Sequence, residues 1–295
     1  MKQLFGHSKS FWVRYSDYAI VEDNNGIKYL KAAEDASPDL YDPIDSLEEI
    51  VVKALNVGRI CMGIDRPDEE KDEAVYQFVK EYGFLGLMTA IPTTPRFLSC
   101  DNVFLPKNQF IKRESMEVFE YLAHFYPFER PNISKNGAKY TVIFEGDTDM
   151  VALAMMSDGR PDEVHLSFQR EYSERLDWLR QQFVDWAFTM TTVFFYYHDY
   201  DHMSEKDREF YRQSMATYDG ITPSYHIELK KDRPVLMWNL NSLLQGIQLM
   251  VCKMLTDDSN PVKMCPSCGK AFIAKNPADK YCSSSCEKHK DSGDD

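Results

Sequence analysis

The chain has 295 residues, of which 43% are hydrophobic and 27% charged, and its formal net charge at pH 7 is −13. This composition suits a globular protein with a sizeable core, and no apolar run approaches the length of a membrane span. The acidity excludes nucleic-acid binding by the chain as a whole, unless its charge is unevenly distributed. Residues 1–7 lack the apolar stretch of a secretory signal. We therefore expect a cytoplasmic protein without a membrane partner.

The N-terminal region has the pattern of antiparallel strands. Residues 11–15, 18–21 and 27–30 are rich in aromatic and β-branched side chains. The sequence Asp23-Asn24-Asn25-Gly26 is typical of a turn. These features predict strands on both sides of that turn.

Helices are predicted next. Ser46-Leu47-Glu48-Glu49 has the pattern of a capping box at the start of an apolar-periodic segment. The acidic residues after Pro67 predict a second helix, which ends near Gly83. Residues 114–126 predict a third helix.

In the second half of the chain, predicted hairpins and helices again follow one another. We predict hairpins over residues 140–154 and 227–237, and helices over 170–198, from Ser204 to Met215, and over 239–255. Together the elements predict an α+β fold, with a helix-rich body over residues 1–258 that carries short β-hairpins.

The cysteines divide into a cluster and three scattered residues. Cys61, Cys100 and Cys252 lie in apolar contexts and are interpreted as small buried hydrophobes. The other four follow a C-x2-C, thirteen-residue, C-x3-C pattern typical of a metal site: Cys265, Cys268, Cys282 and Cys286.

Residues 262–290 therefore predict a small zinc module. Pro266 and Gly269 suit a tight turn that presents two thiolates to one side. The spacer predicts a hairpin with strands at 271–273 and 280–281, and Ser283 is a natural N-cap for a short helix behind Cys282. The tight turn over Cys265–Gly269 (the knuckle), the hairpin and the helix together indicate a treble-clef-like fold. Four thiolates leave no open position, so we expect structural Zn²⁺; an iron–sulfur cluster is the weaker alternative. The acidic residues 291–295 predict a disordered tail.

The residues of this module resemble a known class of zinc finger. Cys-Pro-Ser-Cys-Gly-Lys-Ala-Phe and Lys-Tyr-Cys-Ser-Ser-Ser-Cys are similar to the fingers that end the CGNR-type regulators. They are more similar still to those of uncharacterised bacterial proteins with a large N-terminal region (the DUF6076-like group). The resemblance covers about the last fifty residues and implies a bacterial, regulatory protein. The chain departs from the CGNR signature at Glu287-Lys288-His289, where that signature has Gly-Asn-Arg.

The leading functional interpretation is a zinc-binding protein of regulatory or interaction type. Residues 263–290 hold six lysines and two acidic residues, so the acidity lies in the body. The finger either contacts nucleic acid weakly or pins the C-terminus to the body. The phosphate-contacting candidates of the first version are Lys270, Lys275, Lys280 and Lys288.

An enzyme is the first alternative, a metal-dependent hydrolase or nuclease that acts from the acidic body. Its candidate residues are Glu145, Asp147, Asp149, His198 and His202. Plainer interpretations compete with it, because charged residues keep a hairpin turn solvated and the histidine pair precedes a helix cap. Overall the sequence favours a protein that is not an enzyme.

A protein-interaction module is the second alternative. Its acidic body would suit a basic protein partner, and the zinc would then be purely structural. The apolar stripe over residues 176–197 steps by three and four, which suits either a homodimer seam or a core helix.

Overall fold

The computed structural model describes most of the chain in separate ranges: residues 12–90, 102–105, 109–128, 170–216, 218, 220, 223–240, 242–257 and 262–288. Helices and short antiparallel sheets make up these ranges, which confirms the α+β fold class. The predicted hairpin over 140–154, with Glu145, Asp147 and Asp149, lies outside them. None of the described helices combines the length and the apolar character that a bilayer crossing requires.

The described elements follow one another along the chain. They are β1 (Trp12–Tyr15), β2 (Tyr18–Glu22), β3 (Lys28–Ala32), β4 (Pro38–Tyr41), α1 (Leu47–Met62), α2 (Asp68–Tyr82), α3 (Leu87–Ala90), β5 (Asn102–Phe104), β6 (Ser115–Glu117), α4 (Val118–Ala123), β7 (Ser173–Arg175), α5 (Leu176–His198), α6 (Glu205–Ala216), β8 (Ser224–Leu229), β9 (Pro234–Asn239), α7 (Leu243–Thr256), β10 (Val262–Met264), β11 (Ala271–Ile273) and α8 (Ser284–Lys288).

The chain divides into two compact units. The first comprises Met1–Ile44, Val79–Leu179 and Ile221–Gly246, and the second comprises Asp45–Phe78, Arg180–Gly220 and Ile247–Asp295. The residues of the predicted zinc module fall in the second unit, together with α1. The division into a body over 1–258 and a separate module over 262–290 stays a prediction.

All described sheets of the first unit are antiparallel. β1 pairs with β4, β5 with β6, and β8 with β9, while β2, β3 and β7 form a three-stranded sheet in that order. The predicted turn between β2 and β3 is confirmed: Asp23 Oδ1 accepts hydrogen bonds from the N–H groups of Asn25 (2.9 Å) and Ile27 (2.8 Å), and Gly26 has φ +78°. The end of α2 is also confirmed, because Gly83 follows it with φ +86° and donates its N–H to Val79 O at 2.7 Å.

Several predicted elements differ from the structure. Residues 114–126 do not form one helix, because residues 115–117 pair with β5 before α4 begins. The helix predicted from residue 170 begins only at Leu176, since residues 173–175 pair with β3. Ser46 makes no side-chain capping bond to α1; a 3₁₀ turn over Ile44–Ser46 precedes the helix instead.

The first unit is organised around the buried carboxylate of Glu174 in β7. Its oxygens accept hydrogen bonds from the N–H groups of Leu85 (3.0 Å), Gly86 (2.7 Å) and Leu87 (2.7 Å), and from the Tyr172 hydroxyl (2.7 Å). Gly86 has φ +77°, which lets the three N–H groups converge on the carboxylate. Burial raises the pKa of Glu174, because the loss of water outweighs these four donors.

Aromatic packing forms the core of the second unit. Phe78 of α2 meets Phe183 of α5 edge to face, with ring centroids 4.8 Å apart, and Trp186 packs against Phe183 at 5.6 Å. Met190, one turn further on, is 5% exposed, whereas Tyr197 at the end of the stripe is 75% exposed. Phe183, Trp186 and Met190 of α5 therefore serve the protein's own core. A homodimer through this helix stays a prediction.

We expect Glu174→Gln to lower the free energy of unfolding by about 2–4 kcal/mol, because the new NH₂ group would face backbone N–H donors and leave a buried donor without an acceptor. Urea and thermal unfolding measure this change. Glu171→Gln, on the same segment but half-buried, is the matched control and should change stability by less than about 0.5 kcal/mol. Equal stability of the two variants would contradict the role of Glu174.

Candidate metal centre

The structure brings the four predicted cysteines together. Their Sγ atoms all lie within 4.8 Å of one another, with Cys268 and Cys282 3.5 Å apart and Cys282 and Cys286 3.6 Å apart. These distances are too long for a disulfide, whose sulfurs are about 2.05 Å apart. Tetrahedral zinc with bonds of about 2.3 Å would place its sulfurs about 3.8 Å apart. The cluster therefore has the donor set and the spacing to hold one metal ion.

A short hairpin positions the first two cysteines. Cys265 follows β10, and its N–H donates to Lys270 O at 2.9 Å, while Gly269 donates its N–H to Cys265 O at 2.7 Å. Gly269 has φ +69°, so the predicted left-handed residue is confirmed. The resulting knuckle turns the thiols of Cys265 and Cys268 towards the same point.

The hairpin pairs differently from the prediction. β11 pairs with β10, in the register Val262↔Ile273 and Met264↔Ala271, and residues 280–281 are not a strand. Instead, Asp279 Oδ2 accepts the N–H groups of Lys275 (3.0 Å) and Asn276 (2.9 Å), which closes a turn. The β-forming side chains of residues 262–264 could have predicted that this segment pairs with β11.

The second pair of cysteines lies at the start of α8. Ser283 Oγ accepts the N–H of Cys286 at 3.3 Å, which confirms Ser283 as the cap. A separate side-chain hydrogen bond with Ser283 lowers the pKa of the Cys286 thiol. The cap therefore favours the thiolate, the form that binds metal.

The pKa values of the clustered thiols are shifted in opposite directions. Burial alone would raise the pKa of Cys265, but hydrogen bonds from the backbone of Cys282, Cys268 and Ser267 outweigh it and lower the pKa to about 6. Burial and the neighbouring sulfurs raise the pKa of Cys282 to about 12. Four thiolates at this spacing cannot all ionise without a cation between them. The chemistry of the donor set thus fits a bound metal ion.

Helix α1 holds the hairpin in place. The side-chain amide of Asn56 donates to Ala271 O at 3.0 Å, and its oxygen accepts the N–H of Ala271 at 3.0 Å. One turn later, the Arg59 side chain reaches the knuckle: a Cβ built on Gly269 would lie 3.7 Å from Arg59 Cδ. Sequence analysis missed both residues, because a polar side chain on an amphipathic helix gives no local indication of its distant partner.

The four lysine candidates lie on the surface of this hairpin and helix. Lys270, Lys275, Lys280 and Lys288 are all exposed. None of the ion pairs found among the described residues involves them. Their ammonium groups are therefore open to solvent.

The candidate histidines stand apart from the cysteines. His198 ends α5, with its ring stacked on Phe194 and its Nδ1 2.7 Å from Asp199 Oδ1, and His202 lies in the 3₁₀ turn Tyr200–His202. Ser204 caps α6 as predicted, since its Oγ accepts the N–H of Asp207 at 3.2 Å. Among the described residues, a group that can hold a metal is formed by the four cysteines alone.

Comparisons with protein-family models, with curated proteins and with solved structures gave no match to this chain. The resemblance of its C-terminal residues to CGNR-type fingers therefore stays a prediction. Its own residues define an α+β protein with four cysteines close enough together to hold a metal ion.

We expect Cys→Ser changes at Cys265, Cys268, Cys282 or Cys286 to reduce the bound metal to well below one ion per chain, because each removes one of four ligands. Elemental analysis of the purified protein measures this. Cys61→Ser is the matched control, since burial raises the pKa of Cys61 to about 11 and keeps this thiol protonated at neutral pH. Unchanged metal content in all four variants would show that the cluster is not the site.

Proposed function

We propose that the four cysteines bind one structural Zn²⁺, and that the folded module pins the C-terminal segment to α1 in a protein of regulatory or interaction type. The observation that carries this proposal is the coincidence of the thiol cluster with the two-point hydrogen bond between Asn56 and Ala271.

Zinc suits this donor set better than other metals. Thiolate ligands in a tetrahedral arrangement are typical of structural zinc, and a full set of four leaves no position for water or substrate. The site thus supports folding more readily than catalysis. A four-cysteine iron–sulfur cluster would be coloured, so the visible absorption spectrum distinguishes the two.

The module needs the metal because it has little core of its own. Its strands have three residues each and its helix has five. Within residues 262–288 the buried side chains are Val262, Cys265 and Ala271. Segments this small usually depend on a metal to fold. The free energy of zinc binding then becomes the free energy that holds this segment on α1.

Nucleic-acid contact through the module is the second candidate, and the exposure of its four lysines favours it. Its strength is limited by charge. Within residues 262–288, five lysines stand against Asp279 and Glu287, and a zinc ion with four thiolates adds two negative charges. The surface would contact phosphates weakly and with strong salt dependence.

We expect Asn56→Ala to increase amide hydrogen exchange over residues 262–273 while one zinc per chain remains bound, because the variant loses both hydrogen bonds to Ala271. Mass spectrometry after deuterium labelling measures it. Glu49→Ala, an exposed position on the same helix, is the control. Zinc removal by a chelator should increase exchange over the whole of 262–288. If exchange there is unchanged after chelation, the structural role of the metal is wrong.

We expect the zinc-loaded protein to bind labelled random DNA or RNA only weakly, with affinity that falls as salt is raised to about 150 mM. Reversing the charge of Lys270, Lys275, Lys280 and Lys288 to Glu together should abolish this binding in a fluorescence-polarisation titration. Lys231→Glu with Arg233→Glu, both exposed in the turn of the β8–β9 hairpin, is the control. Absence of binding at low salt would exclude the nucleic-acid candidate and leave the structural proposal intact.

A further inference from the structure

A half-open cavity of about 780 Å³ lies within the second unit, beside the zinc module. One side is formed by the last turns of α5 and α7, and the other by β10, the knuckle and the turn at residues 279–280. Its apolar lining includes Met190, Val193, Phe194, Leu255 and Met264. The volume falls in the range of about 300–1,000 Å³ that is usual for small-molecule sites.

We propose that this cavity binds a small amphipathic monoanion, a carboxylate with an aromatic or aliphatic body, and that the zinc module supplies the wall that receives the acid group. The proposal rests on the proposed structural role of the zinc, because that module must be folded and held on α1 for the wall to exist.

The apolar lining suits the body of such a ligand. Met190 and Met264 are flexible, polarisable side chains that adapt to irregular shapes. Phe194 also lines the cavity, with its ring stacked on that of His198 at a centroid distance of 5.4 Å. This arrangement favours a flat or extended apolar group over a sugar or a nucleotide, which would need many more polar partners.

The charged groups on the module side favour an acid. Lys263 Nζ donates to the backbone carbonyl oxygens of Asp279 (3.0 Å) and Pro277, which are neutral acceptors. Lys280 is exposed, and neither lysine takes part in an ion pair found among the described residues. The carboxylate of Asp279 is turned to the N–H groups of residues 275 and 276. Two lysines, Lys263 and Lys280, therefore stand among the residues that line the module side of the cavity.

The helix side of the cavity limits the ligand to one negative charge. α5 and α7 both end there, and helix C-termini carry partial negative charge. Asp257, just after α7, adds a carboxylate on the same side. A second acid group on the ligand would face these charges. A monoanion would instead orient its acid towards Lys280 and its apolar body towards the helices.

The metal and the ligand should be coupled, because the module wall is built from residues next to the thiols. Met264 precedes Cys265, Pro266 lies between two of the cysteines, and Lys280 is two residues before Cys282. Loss of the metal would remove the wall. By linkage, a ligand bound against the wall raises the affinity of the cysteines for zinc, so that a chelator competes less well for the metal at equilibrium.

Three naphthalene compounds of matched shape test the proposal by calorimetric titration of the zinc-loaded full chain: 2-naphthylacetate, 2-(2-naphthyl)ethanol and 2-(2-naphthyl)ethylamine. We expect the carboxylate to bind tightest and the amine weakest. Lys280→Glu should weaken carboxylate binding about tenfold and leave the alcohol unchanged. Lys275→Glu, an exposed lysine of the same module outside the cavity lining, is the matched control and should change neither. Val193→Trp, which fills the apolar side, should weaken all three compounds.

The zinc content, measured on the same samples, separates the two proposals. If zinc is bound at one ion per chain and none of the three compounds binds at millimolar concentration, the cavity proposal is overturned and the structural zinc stands. Tighter binding of the amine, or an equal loss in the Lys275→Glu control, would overturn the assignment of the acid group to Lys280. A chain that binds no zinc would overturn both proposals.

Discussion

The hydrogen bonds between the Asn56 amide and Ala271 fix the position of the C-terminal module, residues 262–288, on α1. They hold β11 on α1, the β10–β11 register then places Cys265, and the knuckle places Cys268. The Asn56 side chain bonds both the N–H and the C=O of Ala271, so it fixes the orientation of β11 on α1 as well as its distance. A purely apolar contact would not fix the orientation. The position of the module on α1, and of the cavity beside the module, depends on this contact.

Glu174 performs the same task in the first unit. Its carboxylate gathers three consecutive backbone N–H groups of residues 85–87, while the backbone of its own strand pairs with β3. In both units a polar side chain from a distant segment binds backbone groups, namely the N–H groups of residues 85–87 in the first and both groups of Ala271 in the second. Buried polar groups of this kind are costly when left unpaired, so they define one arrangement strongly.

Local chemistry explains which features could be predicted from the sequence. The turn at Asp23–Gly26, the left-handed Gly269 and the cap at Ser283 each depend on a few neighbouring residues, and all three are confirmed. The four ligands follow from their spacing. The errors concern partners: residues 115–117 and 173–175 become strands only because β5 and β3 lie beside them, and β11 pairs with β10 rather than with residues 280–281. Asn56 and Glu174 were not predicted for the same reason. Hydrophobic periodicity identifies the buried face of a helix or strand, but not the residues that this face contacts.

The charge around the module determines which kind of anion its lysines can bind. The proposed zinc ion with its four thiolates would carry two negative charges, and the rest of the chain is acidic. Arg59, whose buried Nε has no hydrogen-bond partner among the described residues, approaches the knuckle from α1. The lysines that remain form a modest positive surface on an acidic protein, too weak to attract a polyanion strongly at physiological salt. Next to an apolar cavity, the same charges suffice for one carboxylate, since a single ion pair depends on local geometry rather than on the net charge.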